Sequence, residues 1–154
     1  MIDPLTLSIG IGLVFGLLFV EAFGLFAGGM VVPGYIALDL VQPVSVFLTI
    51  VTALLINIVI RFLSRFLVIY GRRRVSLTVL LAYLIGWFVR YMFGLPQVVG
   101  ELGELYTVIG YIIPGLIALS IDRQGIVETI STLLTVAVAV RLVLIILIGP
   151  VLLQ

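Results

Sequence analysis

The 154-residue sequence contains no cysteine, no histidine and no lysine. Without cysteine there is no disulfide staple and no thiol nucleophile. Without histidine there is no imidazole acid–base chemistry, and the two absences together remove the usual zinc ligand sets. They carry no information about redox compartment. Charge is scarce as well: Asp, Glu, Lys and Arg make up 10% of the chain, against about a quarter in an ordinary soluble domain. No glycine loop of the phosphate-binding type is present, nor a nucleophile beside a base, nor paired carboxylates at helical spacing inside a plausible pocket, so no catalytic residue and no metal site is predicted. The N-terminus, Met1-Ile2-Asp3-Pro4, has no basic segment, and no small-x-small cleavage site closes the apolar run behind it. That run is therefore predicted to be a mature transmembrane helix and not a signal peptide.

What is present is apolar. Hydrophobic residues make up 64% of the chain and the mean hydropathy is +1.46. A soluble core of this size cannot hide so much apolar surface, so the chain is predicted to be an integral membrane protein with a single membrane domain, residues 1–154. One stretch occurs twice. Residues 29–40, GMVVPGYIALDL, reappear as residues 110–121, GYIIPGLIALSI, with six of twelve positions identical and five more exchanging one apolar residue for another. The shift is 81 residues and predicts an internal duplication. Each copy is too short to span a bilayer and carries a Pro-Gly pair, which interrupts a helix and prepares the start of the next.

Leu5 to Phe26 is one apolar run broken only by Glu21, long enough to cross about 30 Å of hydrocarbon. Ser8, Gly12 and Gly16 form small-xxx-small steps on it, which let another helix approach closely. After Gly28-Gly29 and the first short copy, Pro43 opens a second helix, about Val44 to Leu67, with Asn57 at its middle. Five arginines follow within residues 61–74 (Arg61, Arg65, Arg72, Arg73 and Arg74), and the excess of positive charge places that loop in the cytoplasm. A third helix, Val75 to Phe93, ends in Trp87, Tyr91 and Phe93, as an interfacial belt would. Leu95 to Thr107, with Pro96, Glu101 and Glu104, reads as an external loop or short surface helix. The second copy, Asp122-Arg123-Gln124-Gly125 and a fourth helix, Ile126 to Ile148, complete the chain.

The predicted fold is all-α, built as two parallel repeats of helix, re-entrant segment and helix. Repeat one covers about 5–70 and repeat two about 75–149, giving four transmembrane helices and two short Pro-Gly half-helices, with both termini inside. Counting either copy as part of a kinked spanning helix gives five or six crossings.

Irregular backbone at membrane depth needs protein or a wet cavity to satisfy it. The Pro-Gly segments are expected to face each other and aim helix N-termini inward, which suits carboxylates. Pro33, Gly34, Tyr35, Pro114, Gly115, Arg61, Arg141 and Glu21 are the candidate lining of a substrate path. The plainer alternative is a packed hairpin in which Gly34 and Gly115 only permit close contact. Arg61 and Arg141 lie 28 and 27 residues after their prolines and either snorkel to the inner face or draw in a polyanion. Arg72, Arg73 and Arg74 are a topology anchor meeting anionic lipid, or a dock for a soluble partner. Asp39 reads as a polar stop, and Asn57 as interhelical glue.

Val32-Pro33-Gly34-Tyr35, Tyr70-Gly71-Arg72-Arg73 and Ile113-Pro114-Gly115-Leu116-Ile117-Ala118 followed by Gln124-Gly125 resemble the CapC/PgsC capsule-biosynthesis family, the small membrane component of poly-γ-glutamate synthase. Length, motif order and hydropathy agree over nearly the whole chain; Ile113 stands where valine is expected, and the C-terminal tail is slightly longer. The resemblance implies a cell-membrane protein working with a cytoplasmic ATP-dependent amide ligase (the B component of the synthase) and a membrane-anchored A component, delivering a γ-linked glutamate polymer outside. ATP and a divalent metal would belong to the ligase, and no cofactor or nucleic acid is expected on this chain. The function expected is a non-catalytic subunit that anchors the ligase and contributes to export. The alternative, from a different class, is a self-sufficient transporter or channel for an organic anion acting as a homo-oligomer.

Overall fold

The computed structural model describes residues 4–66, 71–93 and 103–149. Those residues form six helices and no strand: α1 (Pro4–Phe23), α2 (Val32–Asp39), α3 (Pro43–Phe66), α4 (Arg72–Phe93), α5 (Gly103–Gln124) and α6 (Ile126–Ile148). Glycine sets several boundaries. Gly24, Gly28 and Gly29 have φ of 68°, 80° and 122°, values open to glycine but strained for other L-residues. They end α1 three residues before the expected Phe26 and hold α2 apart as a short separate helix. Gly125 at φ 106° separates α5 from α6, and Gly149 at φ 86° closes α6.

Three helices are long and apolar enough to cross a bilayer: Thr6–Phe23 in α1, Pro43–Phe66, and Ile126–Leu147 in α6. Their exposed faces carry Leu13, Val14, Leu17 and Leu18 on α1, Phe47, Leu55 and Ile58 on α3, and Val138, Leu142 and Ile146 on α6. Whole apolar faces left open in this way mark a membrane protein, because lipid tails are a neutral solvent for them. The fourth expected crossing, α4, is 22 residues long but carries Arg72, Arg73, Arg74 and Arg90.

Two expectations are corrected. The second Pro-Gly copy is not a short half-helix: α5 runs through it as a 22-residue helix with Pro114 inside. The physical difference lies upstream. The first copy follows Gly28-Gly29, whereas the second has a single glycine, Gly110, before Tyr111, and one missing N–H in a chain of apolar helix formers does not end a membrane helix. Secondly, the arginine run is not a loop before α4 but its first turn. Part of the expected outer segment, 94–102 with Pro96 and Glu101, lies outside the described residues, as does Tyr70; Gly103 to Thr107 belong to α5.

The chain divides into two compact units. The first comprises 1–47 and 120–154, in which α1, α2 and α6 touch one another pairwise. Its core is Ala27, Ala37, Val136, Val140 and Leu144, flanked by Leu7, Ile11, Phe15 and Phe19 of α1. The second comprises 48–119, with a core of Ile56 and Ile60 from α3, Ala82 from α4 and Ala118 from α5.

Candidate functional site

In the first unit α2 lies against the small-residue face of α1. Among the described side chains of α1, the buried positions are Ser8, Gly12 and Gly16, four residues apart, so they share one face. Gly34 fits against that face without room for a side chain. A methyl group on Gly34 would stand 2.6 Å from the Ser8 carbonyl oxygen and 2.8 Å from the Ile9 Cα, and one on Gly12 would stand 2.7 Å from the Gly34 Cα. The Ser8 hydroxyl donates to the Gly34 carbonyl at 2.6 Å, which answers a backbone acceptor in a medium without water.

The second unit meets the same requirement with different atoms. Among the described side chains of α4, the buried positions are Thr78, Ala82 and Gly86, again four apart. A methyl group on Gly115 would lie 2.6 Å from the Ala82 Cβ, 3.4 Å from the Thr78 carbonyl oxygen and 3.7 Å from the Val79 Cα, and one on Gly86 would lie 3.2 Å from the Tyr111 ring. The need for glycine at 34 and 115 is therefore met by helix contact alone, the plainer of the two readings of these residues. Pro33 and Pro114 are buried beside them; Tyr35 is half-buried.

A third helix closes each unit through a side-chain donor. Arg141, half-buried on α6, donates from Nη1 to the Ala37 carbonyl at 3.4 Å. Ala37 is in the last turn of α2, where carbonyls run out of intrahelical donors and the helix dipole is negative, so a guanidinium there is favourably placed. Buried Asn57 on α3 donates from Nδ2 to the Ala118 carbonyl at 3.2 Å, the interhelical bond expected of it. Ala37 and Ala118 occupy the same place in the duplicated stretch. Arg141 and Asn57 are thus the donors onto these two carbonyls, while Arg61 is exposed on α3. Glu21 is exposed in the last turn of α1, and Arg72 and Arg73 are exposed in the first turn of α4, with Arg74 half-buried.

Sequence reasoning assigned no role to Gln124. Its Oε1 accepts from the Phe26 N–H at 2.8 Å, and its Nε2 donates to the Phe26 carbonyl at 2.5 Å and to the Thr129 hydroxyl at 3.1 Å. One primary amide thus satisfies both backbone groups of a residue in the irregular segment between α1 and α2. The signal available was a lone amide before a glycine, next to the only polar cluster ahead of the last helix.

The sequence model of the family described as "Capsule biosynthesis CapC" matches residues 11–130. The chain belongs to the CapC capsule-biosynthesis family. It is similar to the "Capsule biosynthesis protein CapC" of Bacillus anthracis, 34% identical over 131 residues, 84% of this chain and 86% of that protein. It is also similar to the "PGA biosynthesis protein CapC" of Bacillus subtilis (strain 168), 35% identical over 134 residues, 86% of this chain and 88% of that protein. No solved structure matches the chain. The CapC match takes in both Pro-Gly segments, the arginine cluster, Asn57 and Gln124, and ends within α6 before Arg141.

Proposed function

We propose that the chain is a non-catalytic membrane subunit of a poly-γ-glutamate capsule synthase. In this reading it anchors the synthase's B component, an ATP-dependent amide ligase, in company with a membrane-anchored A component, and contributes to export of the polymer. ATP and a divalent metal serve the ligase. The chain lies in the cell membrane with the arginine segment 61–74 and both termini in the cytoplasm. The observation that carries the proposal is the CapC family match over residues 11–130 of a chain with three helices apolar enough to span.

The proposal includes an internal duplication. In its favour, Ser8, Gly12 and Gly16 face the first Pro-Gly segment as Thr78, Ala82 and Gly86 face the second, and the carbonyls of Ala37 and Ala118 each accept from a third helix. Of the candidate path residues, Arg141 brings a guanidinium to the last turn of α2, where it holds the Ala37 carbonyl.

Purification of the tagged chain from membranes that also contain the ligase and the anchored A component tests the anchoring role. A ligase that stays bound through detergent exchange supports it, and a ligase that washes away sinks it. Anion flux through liposomes holding this chain alone would instead favour the self-sufficient transporter. For the path, Arg141→Glu should leave the ligase bound but cut the polymer released from the cell; unchanged release reduces the chain to a tether.

A further inference from the structure

We infer that the end of α3 and the start of α4 form a binding surface for the phosphates of anionic phospholipid, made by Arg61, Arg65, Arg72 and Arg73 with Phe62 and Phe66. All four arginines are exposed. No acidic residue occurs between Asp39 and Glu101, so the segment that carries this charge supplies no carboxylate to neutralise it. Arg72 and Arg73 also stand in the first turn of α4, where the helix dipole adds to their charge and does not offset it.

The apolar residues between the arginines decide what kind of partner fits. Phe62 and Phe66 are 62% and 75% exposed, and their rings lie 5.2 Å apart at 60°, a paired aromatic face that needs an apolar medium. Arg61 precedes the end of the spanning segment Pro43–Phe66 by five residues, about 7–8 Å of helix. That is about the thickness of the headgroup layer, roughly 5–7 Å on each side of the hydrocarbon, and puts Arg61 where the headgroups meet the acyl chains. A soluble acidic protein would have to enter the bilayer to reach Arg61, whereas a lipid phosphate is already there. Arg65 is one helical turn further out, on the same face, so α3 offers two guanidinium forks at successive depths, each beside a phenylalanine of the aromatic pair. Guanidinium binds phosphate through two parallel N–H donors. The surface is independent of any polymer path and stands even if the chain is only a tether.

The test uses the full chain in nanodiscs of phosphatidylcholine doped with a minor share of phosphatidylglycerol, extracted and washed, with the retained lipid measured by mass spectrometry. Phosphatidylglycerol should be enriched over its bulk share, and raising the salt should erase the preference. Arg61→Gln should lower the enrichment by about fivefold, the worth of one arginine at an anionic surface. R61Q/R65Q/R72Q/R73Q should retain lipid at the bulk ratio, and the same four positions changed to lysine should keep most of the preference. Enrichment that is equal in the native chain and the glutamine variant, or absent in the native chain at low salt, overturns the proposal. So does a glutamine variant that keeps its phosphatidylglycerol but loses a bound ligase, which would make the surface a protein dock. Should the glutamine variant fail to insert, the salt titration on the native chain decides.

Discussion

Gly115→Ala places a methyl group 2.6 Å from the Ala82 Cβ, where ordinary carbon contacts are about 3.5–4.0 Å. α4 and α5 would have to part by about 1 Å, and overpacking of this kind costs about 1–3 kcal/mol. Alanine returns about 1 kcal/mol of helix propensity over glycine, so the single variant should lose about 0–2 kcal/mol net. Ala82→Gly loses that same propensity and a buried methyl, together about 2 kcal/mol. In G115A/A82G the propensity terms cancel and the methyl crosses from one helix to the other. Its nearest remaining neighbours are then the Thr78 carbonyl oxygen at 3.4 Å and the Val79 Cα at 3.7 Å, both ordinary contacts. The double variant should therefore lie within about 1 kcal/mol of the native chain, with a coupling of about 2 kcal/mol between the two sites.

Gly34→Ala provides the contrast. Its methyl meets backbone, the Ser8 carbonyl and the Ile9 Cα, and the facing residue, Gly12, is already glycine. No second substitution can make room, so the overpacking cost of about 1–3 kcal/mol, less about 1 kcal/mol of helix propensity, should persist in every pairing. Equilibrium unfolding in mixed micelles, followed by circular dichroism, measures all four chains under one condition. A double variant as unstable as the sum of its parts would refute the account of the second Pro-Gly segment as a glycine-for-methyl fit.

Gln124→Ala removes both bonds to Phe26 and should cost about 1–3 kcal/mol in the same assay, while Gln124→Glu keeps the acceptor for the Phe26 N–H and should lose more than Asn57→Leu does. Asn57→Leu breaks one interhelical bond, worth about 0.6–2 kcal/mol in a membrane helix bundle, and a destabilisation well above that range would mean Asn57 does more than join α3 to α5. Residues 1–70 and 71–154 expressed as separate chains should co-purify, because each compact unit draws on both; halves that purify apart would contradict that division.

The all-helical class was legible from hydropathy, and α3 and α6 were legible nearly to the residue because Pro43, Gly125 and Gly149 punctuate them. α5 was not, since a proline read by the rules of soluble helices ends a helix, while here only the first copy has the Gly28-Gly29 pair that actually does so. The start of α4 was missed for a related reason. Arginine looks like loop, but its long stem lets charge leave a helix that continues beneath it. At the site, the spacing of Ser8, Gly12 and Gly16 announced a close approach without naming Gly34 as what approaches, because periodicity gives a face and not its neighbour. Counting from the prolines, which are 81 apart, does not bring Asn57 and Arg141 together, because they are 84 apart.

Those unequal shifts say what is held fixed along the chain. Gly34 and Gly115 are 81 apart and Asn57 and Arg141 84 apart, yet in each unit two contacts recur, a small-residue face on glycine and a side-chain donor on an alanine carbonyl, while the Ser8 hydroxyl bonds the Gly34 carbonyl and the Thr78 hydroxyl bonds Arg74 of its own helix. Length has changed in the connections, where an added residue disturbs no contact. The donor in each unit comes from the other half of the chain, α6 onto α2 and α3 onto α5.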